Sequence, residues 1–158
     1  MKSREKLIQS FETNHRLVHK FADGLSNDDS LAVPSFKANN FNWVLGHMLV
    51  SRNRVLDLLH RSKLLSPADT ALYESGSELI TAATAVPLEQ LLAAFDQSQS
   101  EISHGLHDSA DDDLAAIQAE QREQTVLEQI EGLHWHETYH LGQLEILRQV
   151  SAKRESFP

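Results

Sequence analysis

The sequence contains no cysteine. That absence excludes disulfides, thiolate-held zinc, iron–sulfur clusters and a cysteine nucleophile, so any metal must be held by nitrogen and oxygen. Basic residues are the minority, 14 Lys+Arg against 23 Asp+Glu, for a formal net charge of −9. Such a chain repels phosphate backbones and anionic headgroups, which argues against nucleic-acid and membrane-surface partners. No stretch approaches the roughly 18 consecutive apolar residues of a membrane helix, and Met1-Lys2-Ser3-Arg4-Glu5-Lys6 leads into no signal-peptide core. A cytoplasmic protein is the expectation. The 158 residues, 41% hydrophobic and 23% charged, suit a single globular domain over residues 1–158. Histidine, by contrast, is plentiful, with 9 copies.

Proline and glycine are also few, 4 and 6, and the long spans between them repeat their apolar residues at helical spacing. An all-α bundle follows. The first helix is expected from about Ser3 to Asp23, with Leu7, Ile8, Phe11, Val18, Phe21 and Ala22 on one stripe and Gly24 ending it. After Pro34, Asn39 or Asn40 can cap a second helix that continues to about Leu65, where Ser66-Pro67 stops it. That helix is apolar on two sides, with only Asn53, Asp57 and His60 forming a polar sector. It must therefore sit centrally or use its second face in a homodimer, and the homodimer is the favoured expectation.

Residues 66–86 read as a connection with one helical turn, and Pro87 opens a third helix carrying Leu88, Leu91, Leu92, Phe95, Ile102 and Leu106 on one stripe. The acid-rich stretch Asp108 to Asp113 reads as a solvated loop or helix start. Thr125 and Glu128 have capping-box spacing, predicting a fourth helix to about Ala152 with Val126, Ile130, Leu133, Leu144 and Leu147 buried.

The fourth helix contains His136 and His140, four apart, so both rings leave one face, a turn apart, where two imidazoles can grip one ion. They lie within the buried stripe, and two stacked core imidazoles need a reason. His47 lies mid-stripe on the second helix and qualifies as a third ligand. His15 and His19 form another i, i+4 pair; His15 falls on the inward stripe near the site, His19 at its edge, and both read as core-rim residues. His134 points to a different side of its helix from His136, and His60, His104 and His107 read as solvent-facing helix residues.

His136-Glu137-Thr138-Tyr139-His140 also matches the H-E-x-x-H pattern of zinc peptidases. The longer metzincin form needs Gly and His where Gln143 and Ile146 stand. A thermolysin-like site needs a carboxylate from a later helix, yet only 18 residues follow His140. No strand is expected that could align a peptide.

The sequence instead resembles the DinB/YfiT-like metalloenzyme family, on Asn42-Trp43-Val44-Leu45-Gly46-His47 and on His136-Glu137-Thr138-Tyr139-His140-Leu141-Gly142-Gln143, with Arg148 beyond. The resemblance covers essentially the whole chain. It implies an up-down four-helix bundle of unusual left-handed connectivity, commonly a homodimer, with a divalent ion such as zinc or nickel on the three His and water. It also implies an enzyme that uses a low-molecular-weight thiol. Three neutral imidazoles leave the ion's charge uncompensated and favour an anionic ligand such as a thiolate. The expected function is thus thiol-dependent S-transfer to a small electrophilic substrate. The alternatives are a metal-dependent small-molecule hydrolase and a non-catalytic metal-binding dimeric module.

Around the three ligands, Glu137 is a candidate proton acceptor, with a salt bridge as its plainer role. Gln143 is a candidate hydrogen-bond partner for an imidazole or bound ligand, and Arg54 a candidate for an anionic group on the substrate. Trp43, Trp135 and Tyr139 read as core or dimer contacts.

Overall fold

The computed structural model describes residues 4–117 and 123–152. Four long helices carry the fold, α1 (Arg4–Ala22), α3 (Phe41–Leu58), α5 (Leu88–Asp108) and α7 (Val126–Ala152), joined through short α2 (Asn27–Ser30), α4 (Pro67–Leu72) and α6 (Asp111–Ala115). There is no strand among the described residues. Helix starts follow side-chain chemistry. Asn40 accepts the Trp43 N–H at 2.9 Å to cap α3, and Ser66 with Pro67 opens α4. The Thr125/Glu128 capping box forms as expected, with the two reciprocal bonds at 2.8 and 3.2 Å. Ser3, the expected start of α1, lies outside the described residues.

The second long helix is shorter than its periodicity suggests. It ends at Leu58 rather than near Leu65 because His60 takes a left-handed conformation (φ 54°) that turns the chain. Asn53 then captures the returning strand of backbone, accepting the Leu64 N–H at 2.9 Å and donating to the Leu65 carbonyl at 3.5 Å. Asn53 is therefore a buried anchor and not part of a polar face, and His60 stands, exposed, just outside the helix.

Each long helix packs against two others: α1 and α3 both lie against α5 and α7, so they face each other across the diagonal. Contacts fix the directions. Arg4 bonds Asp111 while His15 meets Asp96, so α1 and α5 are antiparallel. His136 meets Ser51 and His140 faces His47 across α3 and α7, which are likewise antiparallel. Asn42 reaches Val86 and Arg52 reaches Ser98, so α3 and α5 are parallel. The four helices run up, down, down, up. Strict alternation is broken at the 59–87 connection, which is long enough to carry the chain back along the bundle before α5 starts.

That same connection explains the two-sided apolarity of α3. Leu65, Tyr73 and Ile80 join Trp43, Val44 and Leu45 in one buried cluster, so the second face is covered by this chain's own residues. α3 is the central helix.

The apolar core divides in two. One cluster includes Val18, Leu49, Phe95 and Leu144, the other Leu7, Phe11, Leu56, Ile102 and Ile130. Between them on the four helices stand Asn14, Arg52, Ser98 and Glu137, all buried. No helix is long and apolar enough, among the described residues, to cross a membrane.

Candidate metal centre

The α3/α7 seam brings His47, His136 and His140 together, with one ligand nitrogen from each within 4.8 Å of the others. Antiparallel packing makes this possible, because residues a turn apart on α7 straddle one position on α3. His47 and His140 are buried and His136 partly so.

Each ring is held by its Nδ1. His47 Nδ1 donates to the Tyr73 carbonyl at 2.7 Å. His140 Nδ1 donates to Gln143 Oε1 at 2.7 Å. His136 Nδ1 lies 3.2 Å from Ser51 Oγ. A carbonyl accepts only, so it fixes the tautomer and leaves Nε2 with a bare lone pair. His136 Nε2 and His140 Nε2 are 3.1 Å apart. With both Nδ1 protonated, two lone pairs face each other, an arrangement that a cation between them relieves. Ser51 is donor and acceptor at once, so without a cation the His136 proton can shift to Nε2 and bridge to His140.

Three neutral imidazoles with oriented outer hydrogen bonds are a donor set suited to a divalent transition-metal ion. The electrostatics favour the neutral form. Burial pushes the His140 imidazole down to about 4, with His136 and His47 adding to the effect against the Gln143 bond. His136 is also lowered, first by burial and then by His47 and Arg54. Neither ring binds a proton at neutral pH, and both keep a lone pair for a metal.

Two residues place His47. Trp43 stacks on its ring at 4.9 Å, with the two planes nearly parallel. Tyr73, fully buried, supplies the carbonyl and pins the connection through its hydroxyl, which donates to Asn42 Oδ1 and accepts from the Val86 N–H, both at 2.9 Å. Gly46 lets the Tyr73 ring approach: a Cβ there would stand 2.2 Å from Tyr73 Cδ1. Sequence reasoning gave Tyr73 and Ser51 no part in the site. Their only signal is spatial, since neither lies in a motif with the histidines.

The cluster opens into a cavity of about 740 Å³. Its walls include Trp43, Tyr139 and Ile146, and among the described residues its only cationic side chains are Arg54 and Lys37 and no carboxylate lines it. In a chain of net charge −9, this is a locally positive, half-apolar site.

Glu137, expected as a proton acceptor, is not part of this cavity. It turns away from the cavity into the bundle interior, where Arg52 Nε and Nη2 grip its two carboxylate oxygens at 2.7 and 3.0 Å. Both side chains are 1% exposed. Asn14 donates a third bond to Glu137 at 3.2 Å. Arg52 Nη1 reaches Ser98 Oγ at 3.0 Å, and its guanidinium lies 3.6 Å over the Phe95 ring. The acid is fully committed, and its plainer role as a salt bridge is what the structure contains. Sequence reasoning also missed Arg52, because a buried arginine and a surface one look alike in a helical pattern.

Gln143 sits where an imidazole partner was expected. Arg54 is exposed at the cavity mouth, with no acceptor in reach among the described residues. His15 and His19 lie on the α1/α5 seam instead, bonded to Asp96, and so do not join the cluster. His134 faces Phe11 on α1 at 4.8 Å between ring centroids; His60, His104 and His107 are exposed. Trp43 is core, whereas Trp135 and Tyr139 are solvent-facing, 69% and 57% exposed.

Comparison with known proteins is consistent with this geometry. A family model described as the DinB superfamily matches residues 10–144. No curated protein matches the sequence. Among solved structures, a conserved protein from Enterococcus faecalis superposes with a TM-score of 0.76 at 12% identity, covering 97% of this chain and 99% of its own. At that identity the likeness concerns the fold.

Proposed function

Since the chain belongs to the DinB superfamily, we propose that His47, His136 and His140 hold a divalent ion, zinc or nickel, and that the protein is a transferase. It joins a low-molecular-weight thiol to a small electrophile. One observation carries the reading: all three Nδ1 atoms are engaged by outer partners, while the three rings converge with a ligand nitrogen from each within 4.8 Å of the others at a cavity wall. An ion bound there supplies the positive charge that keeps a thiol ionised at neutral pH.

The chain's own residues do the rest. Tyr73, Ser51 and Gln143 fix the three rings. Trp43, Tyr139 and Ile146 give the substrate an apolar wall, and Arg54 and Lys37 attract an anionic group on the thiol or the electrophile. In the reaction, a carbon–sulfur bond forms, the leaving group departs with its bonding electrons, and the thiol proton passes to water. Glu137 takes no part in this step; it positions α7 through Arg52.

The homodimer expectation now rests on the outward face of α7, where Trp135, Tyr139 and Ile146 are each more than half exposed. Light scattering tests it: a mass near twice 17.8 kDa supports the dimer, and a monomer refutes it.

The test of function is metal content, on protein purified without an affinity tag, followed by thiol titration of the cobalt-substituted protein. About one ion lost in His47→Ala, and a visible-band change on thiol addition, support transfer. A saturated ion whose spectrum no thiol perturbs favours the non-catalytic module, and turnover of esters or amides without thiol favours the hydrolase.

A further inference from the structure

A second histidine cluster lies on the α1/α5 seam, away from the site above. His15 and His19, one helical turn apart, present their Nε2 atoms to a single oxygen, Asp96 Oδ1, at 2.7 and 2.5 Å. The two rings are 4.8 Å apart, and His15 is stacked parallel to Phe95 at 6.0 Å, which restricts its rotation. One donor atom from each of the three residues lies within 4.8 Å of the others.

We propose that His15, His19 and Asp96 form a second divalent-cation site, a two-imidazole, one-carboxylate set that takes zinc, nickel, cobalt or copper. The two imidazoles belong to one helix and the carboxylate to its antiparallel neighbour, so a bound ion links α1 to α5. Nitrogen and oxygen ligands of a tetrahedral zinc ion sit about 3.3 Å from one another. The present 2.5 and 2.7 Å contacts therefore need only a fraction of an ångström of opening. Partly exposed side chains allow that: His15, His19 and Asp96 are 25%, 41% and 52% exposed. Each imidazole can carry its one proton on Nδ1 instead, which hands Nε2 to the ion at little cost in water.

The donor set differs from that of the first site. One carboxylate offsets half the charge of a divalent ion, and the exposed position keeps the remaining coordination sites in water. Two open clefts adjoin it, one lined by His19 and the other by Asp96, and both by Leu92. An ion here exchanges readily and acts as a clasp between helices, with open positions toward solvent.

Zinc stoichiometry of the full chain, measured by equilibrium dialysis and elemental analysis, tests the proposal. The wild type is expected to bind two ions, and His19→Ala and Asp96→Ala one each. His47→Ala should keep one, and His47→Ala combined with His19→Ala none. All three second-site residues are partly exposed, so their variants fold. Histidine side-chain NMR of the His47→Ala protein is the independent readout, with zinc shifting His15 and His19 resonances. Unchanged stoichiometry in Asp96→Ala and His19→Ala, or no ion in His47→Ala, overturns the second site. A single ion that survives His47→Ala and disappears in Asp96→Ala would uphold it while refuting the three-histidine reading.

Discussion

His136 and Glu137 are neighbours in sequence, as are Ser51 and Arg52, yet each pair splits between two unlike regions of one helix seam. On one side lies a polar plate through the middle of the bundle, in which Asn14, Arg52, Ser98 and Glu137 answer each other's hydrogen bonds away from water. On the other lies the histidine cluster, each ring held from behind and turned toward a cavity in front. The plate is closed within the chain, whereas the cluster opens outward. Buried polar groups whose bonding is closed serve stability and register, while those left open at a cavity serve binding.

The sharpest way to break the comparison is Glu137→Ala. Leaving Arg52 charged and unpaired in the core should cost about 3–5 kcal/mol of stability, read by denaturant unfolding. A loss below about 1 kcal/mol would place the pair among ordinary surface ion pairs. The adjacent His136→Ala should barely move the unfolding midpoint of metal-free protein yet abolish retention of the ion held with His47 and His140.

Gly46→Ala joins the two regions. Its Cβ would collide with the Tyr73 ring, and such overpacking costs about 1–3 kcal/mol. Because Tyr73 also supplies the carbonyl on His47, metal affinity should fall with stability. An unaltered affinity would mean that His47 is steadied by Trp43 alone.

Gln143→Ala should separate the two effects, reducing metal affinity by about 10–100-fold with little change in melting temperature. Competition with a chromogenic chelator measures it.

Acid provides a gentler probe of the metal-free protein. His140 stays neutral in the fold down to about 4, against an ordinary value of 6.5. The unfolded chain therefore binds the extra proton between these limits, and stability should be full above pH 6.5 and decline as pH falls toward 4. His140→Gln should flatten that slope. A pH-independent unfolding free energy over this range would contradict the burial of the ring. Smallest of all, Arg54→Ala should leave stability within about 0.5 kcal/mol and raise only the KM for an anionic substrate.

Much of this was readable in the chain. The four long helices and the inward faces of His47, His136 and His140 follow from apolar spacing, because a period of 3.6 fixes which residues share a face. Asn40, Thr125 and Gln143 were legible for the same local reason. What periodicity does not carry is the identity of partners across the bundle. Glu137 matched a peptidase motif and turned out to be clamped by Arg52, a residue 85 positions away. Asn53 and Tyr73 act on backbone atoms of the 59–87 connection, whose path is set by tertiary contacts and not by its composition. The early end of α3 has the same origin, since Asn53 draws the chain back before the helical pattern in the sequence runs out.

The up, down, down, up course of the helices also decides where the molecule can be handled. α1 and α7 run the same way, so the start of the first and the end of the last lie at opposite poles, separated by at least the length of α1, 19 residues or roughly 28 Å. A circularly permuted chain would have to lay about nine or more extended residues along the outside of the bundle to rejoin them. Its new ends could not be cut into the 59–87 connection without severing the segment that carries Tyr73, and with it the grip on His47. The order in which the helices are strung is thus tied to the site they hold.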